Sequence, residues 1–114
     1  MNLHNELLKL NIPDYMEVLY SEELQSGEKT VQELEIHAKL FNPTGRGTWY
    51  VAACDPEQRI AFGYASIFGD YNDEWGDFAI EELQDFIDPR FQLGIEVDLH
   101  FNKCLGRDIE TKIA

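Results

Sequence analysis

Histidine and carboxylate side chains alternate along two segments whose spacing suits acid–base or metal chemistry. The first segment carries Glu35, His37 and Lys39, and the second carries Glu96, Asp98 and His100. Alternate residues of a β-strand lie on one face, so pairing of these segments would gather two imidazoles and three carboxylates. Such a group could bind a divalent metal or act in general acid–base catalysis. The residues that would carry this chemistry are His37, His100, Glu96 and Asp98.

The alternative for these residues is a solvated strand face with cross-strand charge pairs. One face of an antiparallel sheet is often polar, and nothing in the sequence determines the strand order. The sequence therefore predicts no catalytic residue, no metal and no other cofactor. A metal-dependent hydrolase-type enzyme remains the second candidate.

Other catalytic chemistry has less support. Cys54 and Cys104 are far apart and neither has an adjacent histidine, which favours reduced core residues over zinc ligands or activated thiolates. The glycines around Arg46 fit a turn between strands, and the chain has neither a Walker loop nor a dinucleotide fingerprint. A nucleotide-dependent enzyme is not indicated.

An acidic cluster is the strongest signal in the sequence. Ten acids and one base, Arg90, lie between Asp70 and Asp98, with aromatic residues among them. Carboxylates on a rigid surface can imitate phosphates, and exposed aromatic rings can anchor in a partner's pocket. The alternative is that the aromatic rings are core and the acids merely solvated. The predicted binding residues are Asp70, Tyr71, Asp73, Glu74, Asp77, Glu81, Glu82 and Asp85.

Charge and hydropathy restrict the partners and the location. The chain has 22 acids against nine bases, a formal net charge of −13, which repels nucleic acid phosphates and suits a protein with a basic surface. We therefore expect no direct binding to DNA or RNA. The sequence shows neither a signal-peptide core nor an apolar run of about 20 residues, so we expect a cytoplasmic protein without membrane contact.

The elements that must position these residues follow from periodicity. The 114 residues predict a single compact α+β domain with a mainly antiparallel sheet of four to five strands and one or two packed helices. The predicted elements are an N-terminal helix in 1–12, a three-strand meander over 34–68, a helix over 79–87, a strand over 94–101 and a tail over 105–114. Within the meander, the strands are predicted over 34–41, 48–54 and 60–68.

The stretch from Thr48 to Leu83 should supply much of the core, because it holds both tryptophans, three of the five tyrosines and three of the seven phenylalanines. We expect Trp75 to be partly buried at the sheet edge, with Tyr71 and the neighbouring carboxylates exposed. Gly63, in the middle of a predicted strand, indicates the close approach of a backbone or a ring.

Several short signatures occur in a recognisable order along most of the chain. They are Trp49-Tyr50-Val51, Asp55-Pro56, Phe62-Gly63-Tyr64, Glu74-Trp75-Gly76, Phe78, Glu82-Leu83 and the run from Ile95 to Phe101. In this order they resemble the bacterial and phage family called domain of unknown function 2958. The resemblance implies a setting on plasmids, phages and other mobile elements, and it supplies no catalytic residues. Such sequences commonly have a serine where this one has Ala79, so Asp77 is expected to cap the following helix.

Together these observations predict a small acidic protein-interaction module. We expect a mobile element or a phage to encode it as an accessory factor or an anti-defence inhibitor. In this role it engages a basic, nucleic-acid-handling host protein, for example by nucleic-acid mimicry. The alternatives are the metal-dependent hydrolase and a structural or regulatory domain of unknown activity.

Overall fold

A five-stranded antiparallel sheet forms the centre of the molecule. The computed structural model describes residues 2–67 and 73–113, and the side chains only as far as residue 109. The strands are, in chain order, β1 (Glu35–Ile36), β2 (Ala38–Phe41), β3 (Thr48–Asp55), β4 (Ile60–Ser66), β5 (Glu74–Ala79), β6 (Ile87–Asp88), β7 (Leu93–Gly94), β8 (Glu96–Val97) and β9 (Cys104–Leu105). The central sheet has the strand order β5-β4-β3-β2-β8, whereas β1 pairs with β9 and β6 with β7. The predicted α+β class and the antiparallel meander of β2, β3 and β4 are confirmed.

Short helices cover both faces of this sheet. They are α1 (Leu3–Leu8), α2 (Tyr15–Leu19), α3 (Glu22–Gln25), α4 (Ile80–Asp85) and α5 (Gly106–Ile113). Leu3 and Leu7 of α1 pack with Ile80 of α4 in one core, whereas Ile109 of α5 belongs to a second core on the other face. The prediction of one or two helices was therefore too low. Within the described residues, no helix has the length and apolar character needed to cross a bilayer.

The predicted strand 34–41 is divided at His37. Ile36 lies in the second core with β1 paired to β9, whereas Ala38 lies in the first core with β2 paired to β3. The backbone N–H of His37 donates to the Val51 carbonyl at 2.9 Å and holds the crossing point. The two-residue period correctly predicted which side chains are buried. It does not indicate which of the two cores receives each of them.

The predicted strand over 94–101 is reduced to Glu96–Val97. Beyond it, the Asp98 carboxylate accepts a hydrogen bond from the backbone N–H of His100 at 2.9 Å. Such a bond closes a turn that competes with strand pairing. Leu99, which the pattern placed in the core, is 70% exposed.

The remaining predicted elements lie close to their predicted positions. The acidic segment before the second predicted helix is largely strand β5, and that helix spans Ile80–Asp85 instead of 79–87. The N-terminal helix spans Leu3–Leu8, within the predicted range 1–12. The tail forms β9 and α5, and buried Ile109 attaches it to the second core.

Candidate functional site: the acidic edge

The acidic cluster occupies one edge of the central sheet and the helix that continues from it. Strand β5 pairs only with β4 among the described strands, in a register that sets Trp75 against Tyr64 and Gly76 against Gly63. It then runs directly into α4. This strand-to-helix segment therefore holds the carboxylates on two rigid elements instead of a loop.

Five exposed carboxylates define a surface that we call the acidic edge. They are Glu74 and Asp77 on β5 and Glu81, Glu82 and Asp85 on α4. Asp85 lies one turn beyond both Glu81 and Glu82, and Ile80 and Leu83 of the same helix face the core. No lysine or arginine occurs between 73 and 85, so the segment itself contains no neutralising charge.

Internal contacts engage some of these carboxylates. The Tyr15 hydroxyl donates to both oxygens of Asp77 at 2.9 Å, and the Arg59 guanidinium pairs with Glu81 at 3.2 Å. Predicted binding residue Asp73 is half-buried and accepts a hydrogen bond from the Ser66 hydroxyl at 2.8 Å. Glu82 and Glu74, like Asp85, make no ion pair or side-chain hydrogen bond within the described part of the chain.

The Tyr15 contact was not predicted, because the segment around it has no clear hydrophobic period. Asp14 caps α2 by accepting hydrogen bonds from Met16 and Glu17, which places Tyr15 at the first position of this helix. The hydrogen bond to Asp77, together with burial, raises the pKa of Tyr15 above its ordinary value. Asp77 is thus tied to α2 and does not cap α4. The predicted capping role is wrong, since Ala79 is the N-cap residue and α4 has no side-chain cap.

Trp75 packs inward from the acidic edge. Its ring stacks on Phe62 at a centroid distance of 6.1 Å and meets the edge of Tyr64 at 5.4 Å. A Cβ at Gly106 would collide with this ring, so the start of α5 closes over it. The expected partly buried Trp75 at the sheet edge is confirmed. The predicted contact residues Asp70 and Tyr71 lie outside the described residues.

The residues of the predicted metal or catalytic face are divided between separate contacts. Strands β2 and β8 do pair, but Lys39 then approaches Asp98 at 3.9 Å. His37 lies 3.6 Å from Glu35, and burial lowers the pKa of His37. His100 is exposed in the turn that follows β8, and Glu96 is half-buried beside the β6–β7 hairpin. Over residues 2–67 and 73–109, no group of three or more His, Cys, Asp or Glu side chains could hold a metal.

The two cysteines are free thiols, as predicted. Cys54 is buried, and this burial raises the pKa of its thiol. A raised pKa keeps the group protonated and unreactive at neutral pH. Cys104 is half-buried in the second core. Both therefore serve as packing residues.

A cleft of about 590 Å³, which the sequence does not predict, lies at the end of β3 and β4 opposite the Asp55 turn. Its lining includes Lys39, Arg46, Thr48, Ser66 and Asp98. The loop around Arg46 forms the predicted turn between strands. Its contribution to a cleft could not be predicted, because the other walls come from strands distant in sequence.

The central sheet, the helices on both of its faces and the acidic edge define a small α+β domain. The chain belongs to the family described as "Protein of unknown function (DUF2958)", whose profile matches residues 11–106. The match confirms the resemblance carried by the signatures between Trp49 and Phe101, and it begins after α1. No curated protein and no solved structure was found to match the chain.

Proposed function

We propose that this protein is an acidic interaction module that binds a protein with a basic surface through its acidic edge. The observation that carries the proposal is the placement of Glu74, Glu82 and Asp85 on the consecutive elements β5 and α4, exposed and without internal partners in the described structure. Such charges can pair with a complementary surface without first breaking a contact inside the module, and they steer association over long range.

The partner we propose is a nucleic-acid-handling protein. Such proteins carry clustered lysine and arginine for phosphate contacts, and a row of carboxylates on a rigid edge offers the same groups an alternative ligand. The net charge of −13 keeps the module itself away from nucleic acid. The family resemblance implies a setting on mobile elements. In that setting, a mobile element encodes the module, which acts as an accessory factor or as an anti-defence inhibitor of the host protein.

Charge reversal at two unpartnered acids of the acidic edge tests the proposal. We expect the double variant Glu74→Lys, Glu82→Lys to lose the partner recovered from a host lysate by wild-type protein. The matched control is Glu23→Lys, Glu28→Lys, which changes net charge equally on exposed positions around α3 and should retain the partner. Thermal melts of both variants verify the fold.

Salt and competition measurements with the purified partner complete the test. Because the screening length is about 8 Å at physiological ionic strength, association should slow steeply between low and high salt. A nucleic acid ligand of the partner should compete with the module. If the edge variant and the control bind equally, or if binding is insensitive to salt, the acidic edge is not the interface.

A further inference from the structure

We propose that the outer edge of β5 receives an extended basic segment of the partner, which adds to the central sheet as a sixth strand. This inference rests on the proposed function, because the same acidic edge provides the charge that selects the segment. It adds a separate element, namely recognition of the partner's main chain by the main chain of β5.

The hydrogen-bond phase of the β4–β5 ladder directs the backbone N–H groups of Asp77 and Ala79 away from the sheet. The backbone N–H of Ile80 donates to the Arg59 carbonyl at 2.9 Å. Because this bond joins the residues next to Ile60 and Ala79, the pair Ile60–Ala79 is a non-hydrogen-bonded pair. Such pairs alternate with bonded ones along an antiparallel ladder. The N–H groups of Asp77 and Ala79 therefore point away from β4, and within the described chain no strand pairs with that side.

Gly76 is a second, independent sign of an approaching chain. A Cβ added to Gly76 would meet nothing within 4 Å, and its φ is not in the left-handed region. Neither packing nor backbone conformation within the described structure requires glycine here, although glycine weakens a strand interior. A glycine in this position is typical of sites where another backbone or a ligand comes close. Its cross-strand neighbour Gly63 differs, since a Cβ there would overlap the Tyr50 carbonyl.

Charge selects a basic segment over a second copy of this chain. In a twofold antiparallel pairing of two β5 strands centred on Asp77, this carboxylate would face its own equivalent. Like charges directly opposite destabilise a strand pair. A strand carrying lysine or arginine at alternate positions instead places its cations on the face of the sheet that carries Asp77. Its intervening side chains lie on the other face, where one beside Gly76 fills the open space. Added edge strands gain affinity from main-chain bonds and specificity from alternate side chains.

Three synthetic peptides test this pairing with the full chain. The first alternates lysine and threonine, the second alternates glutamate and threonine, and the third is the lysine peptide methylated on alternate backbone nitrogens. We expect the lysine peptide alone to bind, and to slow amide hydrogen exchange at Asp77 and Ala79 by at least about tenfold. Methylation removes the donors that an added strand needs, and it leaves the charge and the protein unchanged.

Two variants examine the same edge from the protein side. Ala79→Pro removes one outward N–H, and the φ of −84° at Ala79 is close to the value that proline requires. We expect about tenfold weaker peptide binding, the equivalent of one hydrogen bond, and no loss with the control Ala79→Val. Gly76→Val should preserve folding and weaken binding by filling the space beside the strand.

The outcomes distinguish this inference from the proposed function. If Glu74→Lys, Glu82→Lys abolishes peptide binding while Ala79→Pro, methylation and amide exchange have no effect, the edge strand is not extended and only the charge surface stands. Failure of the lysine peptide to bind at all also overturns strand addition. The proposed function is decided separately, by the binding and salt dependence of the recovered partner.

Discussion

Asp88 is the one buried charged residue in the described part of the chain, at 7% exposure. Its carboxylate accepts hydrogen bonds from the backbone N–H of Arg90 at 2.8 Å, from the Arg90 guanidinium at 3.0 Å and from the Thr44 hydroxyl at 3.1 Å. The Arg90 side chain contributes most to holding the pKa of Asp88 well below its usual range. The contacts join the β6–β7 hairpin to the loop after β2.

This lowered pKa predicts a specific acid sensitivity. The stabilisation is complete above the unfolded pKa of an aspartate, about 3.9, and is lost as pH falls below that value toward the folded pKa. We expect Asp88→Asn to be less stable than wild type at pH 7 and to lose less stability between pH 5 and pH 2. Urea melts at a series of pH values measure this. The exposed control Asp85→Asn should follow wild type, and an Asp88→Asn profile parallel to wild type would contradict the assignment.

Trp75 distinguishes a core role from a role as an exposed anchor. Because its ring packs on Phe62 and Tyr64, we expect Trp75→Ala to lower the free energy of unfolding by about 3 kcal/mol, at the lower end for a large aromatic truncation. Leu99→Ala, at a side chain 70% exposed, should be nearly neutral in the same denaturant melts. A fully stable Trp75→Ala variant would mean that the ring faces the partner.

At the scale of elements, the β3–β4 pair depends on one close approach. Val51 pairs with Gly63 and Ala53 with Phe62, so Ala52 is the extra residue of a bulge in β3. At this place the Tyr50 carbonyl occupies the position that a Cβ of residue 63 would take. The predicted close approach at Gly63 is thereby confirmed, and the neighbouring backbone explains it.

The glycine pair across β4 and β5 provides a matched experiment. We expect Gly63→Ala to destabilise the domain by more than about 3 kcal/mol, because backbone atoms must shift within the central sheet. Gly76→Ala, on the adjacent strand, enters open space and should be neutral or stabilising by up to about 1 kcal/mol. Chemical denaturation of the two single variants gives both values. Equal destabilisation would show that the space beside Gly76 is already occupied.

At the scale of the whole molecule, the hydrolase alternative leads to a simple measurement. A metal that binds only the folded state raises the melting temperature as its concentration rises. Since His37 and Asp98 have separate partners, Glu35 and Lys39, we expect zinc and manganese to leave the melting temperature unchanged. A concentration-dependent increase that disappears in His100→Ala would favour the enzyme instead.

Part of this architecture follows from the sequence alone. Periodicity predicted β3, β4 and α1, and the order of signatures between Trp49 and Phe101 indicated the family. These features depend on side-chain size and near-neighbour spacing, which a linear chain displays directly. The carboxylates of the acidic edge were also recognised, because charge is a property of composition.

Only the tertiary structure decided which of those carboxylates are available. Tyr15 engages Asp77 and Arg59 engages Glu81 across long sequence separations, and no local pattern encodes such partners. The division at His37 and the early end of β8 at Asp98 likewise depend on competition between strand pairing and other backbone hydrogen bonds. The outcome of that competition depends on which surfaces meet in three dimensions. A two-residue period in the sequence indicates burial, but it identifies neither the core that a side chain enters nor the strand that lies beside it.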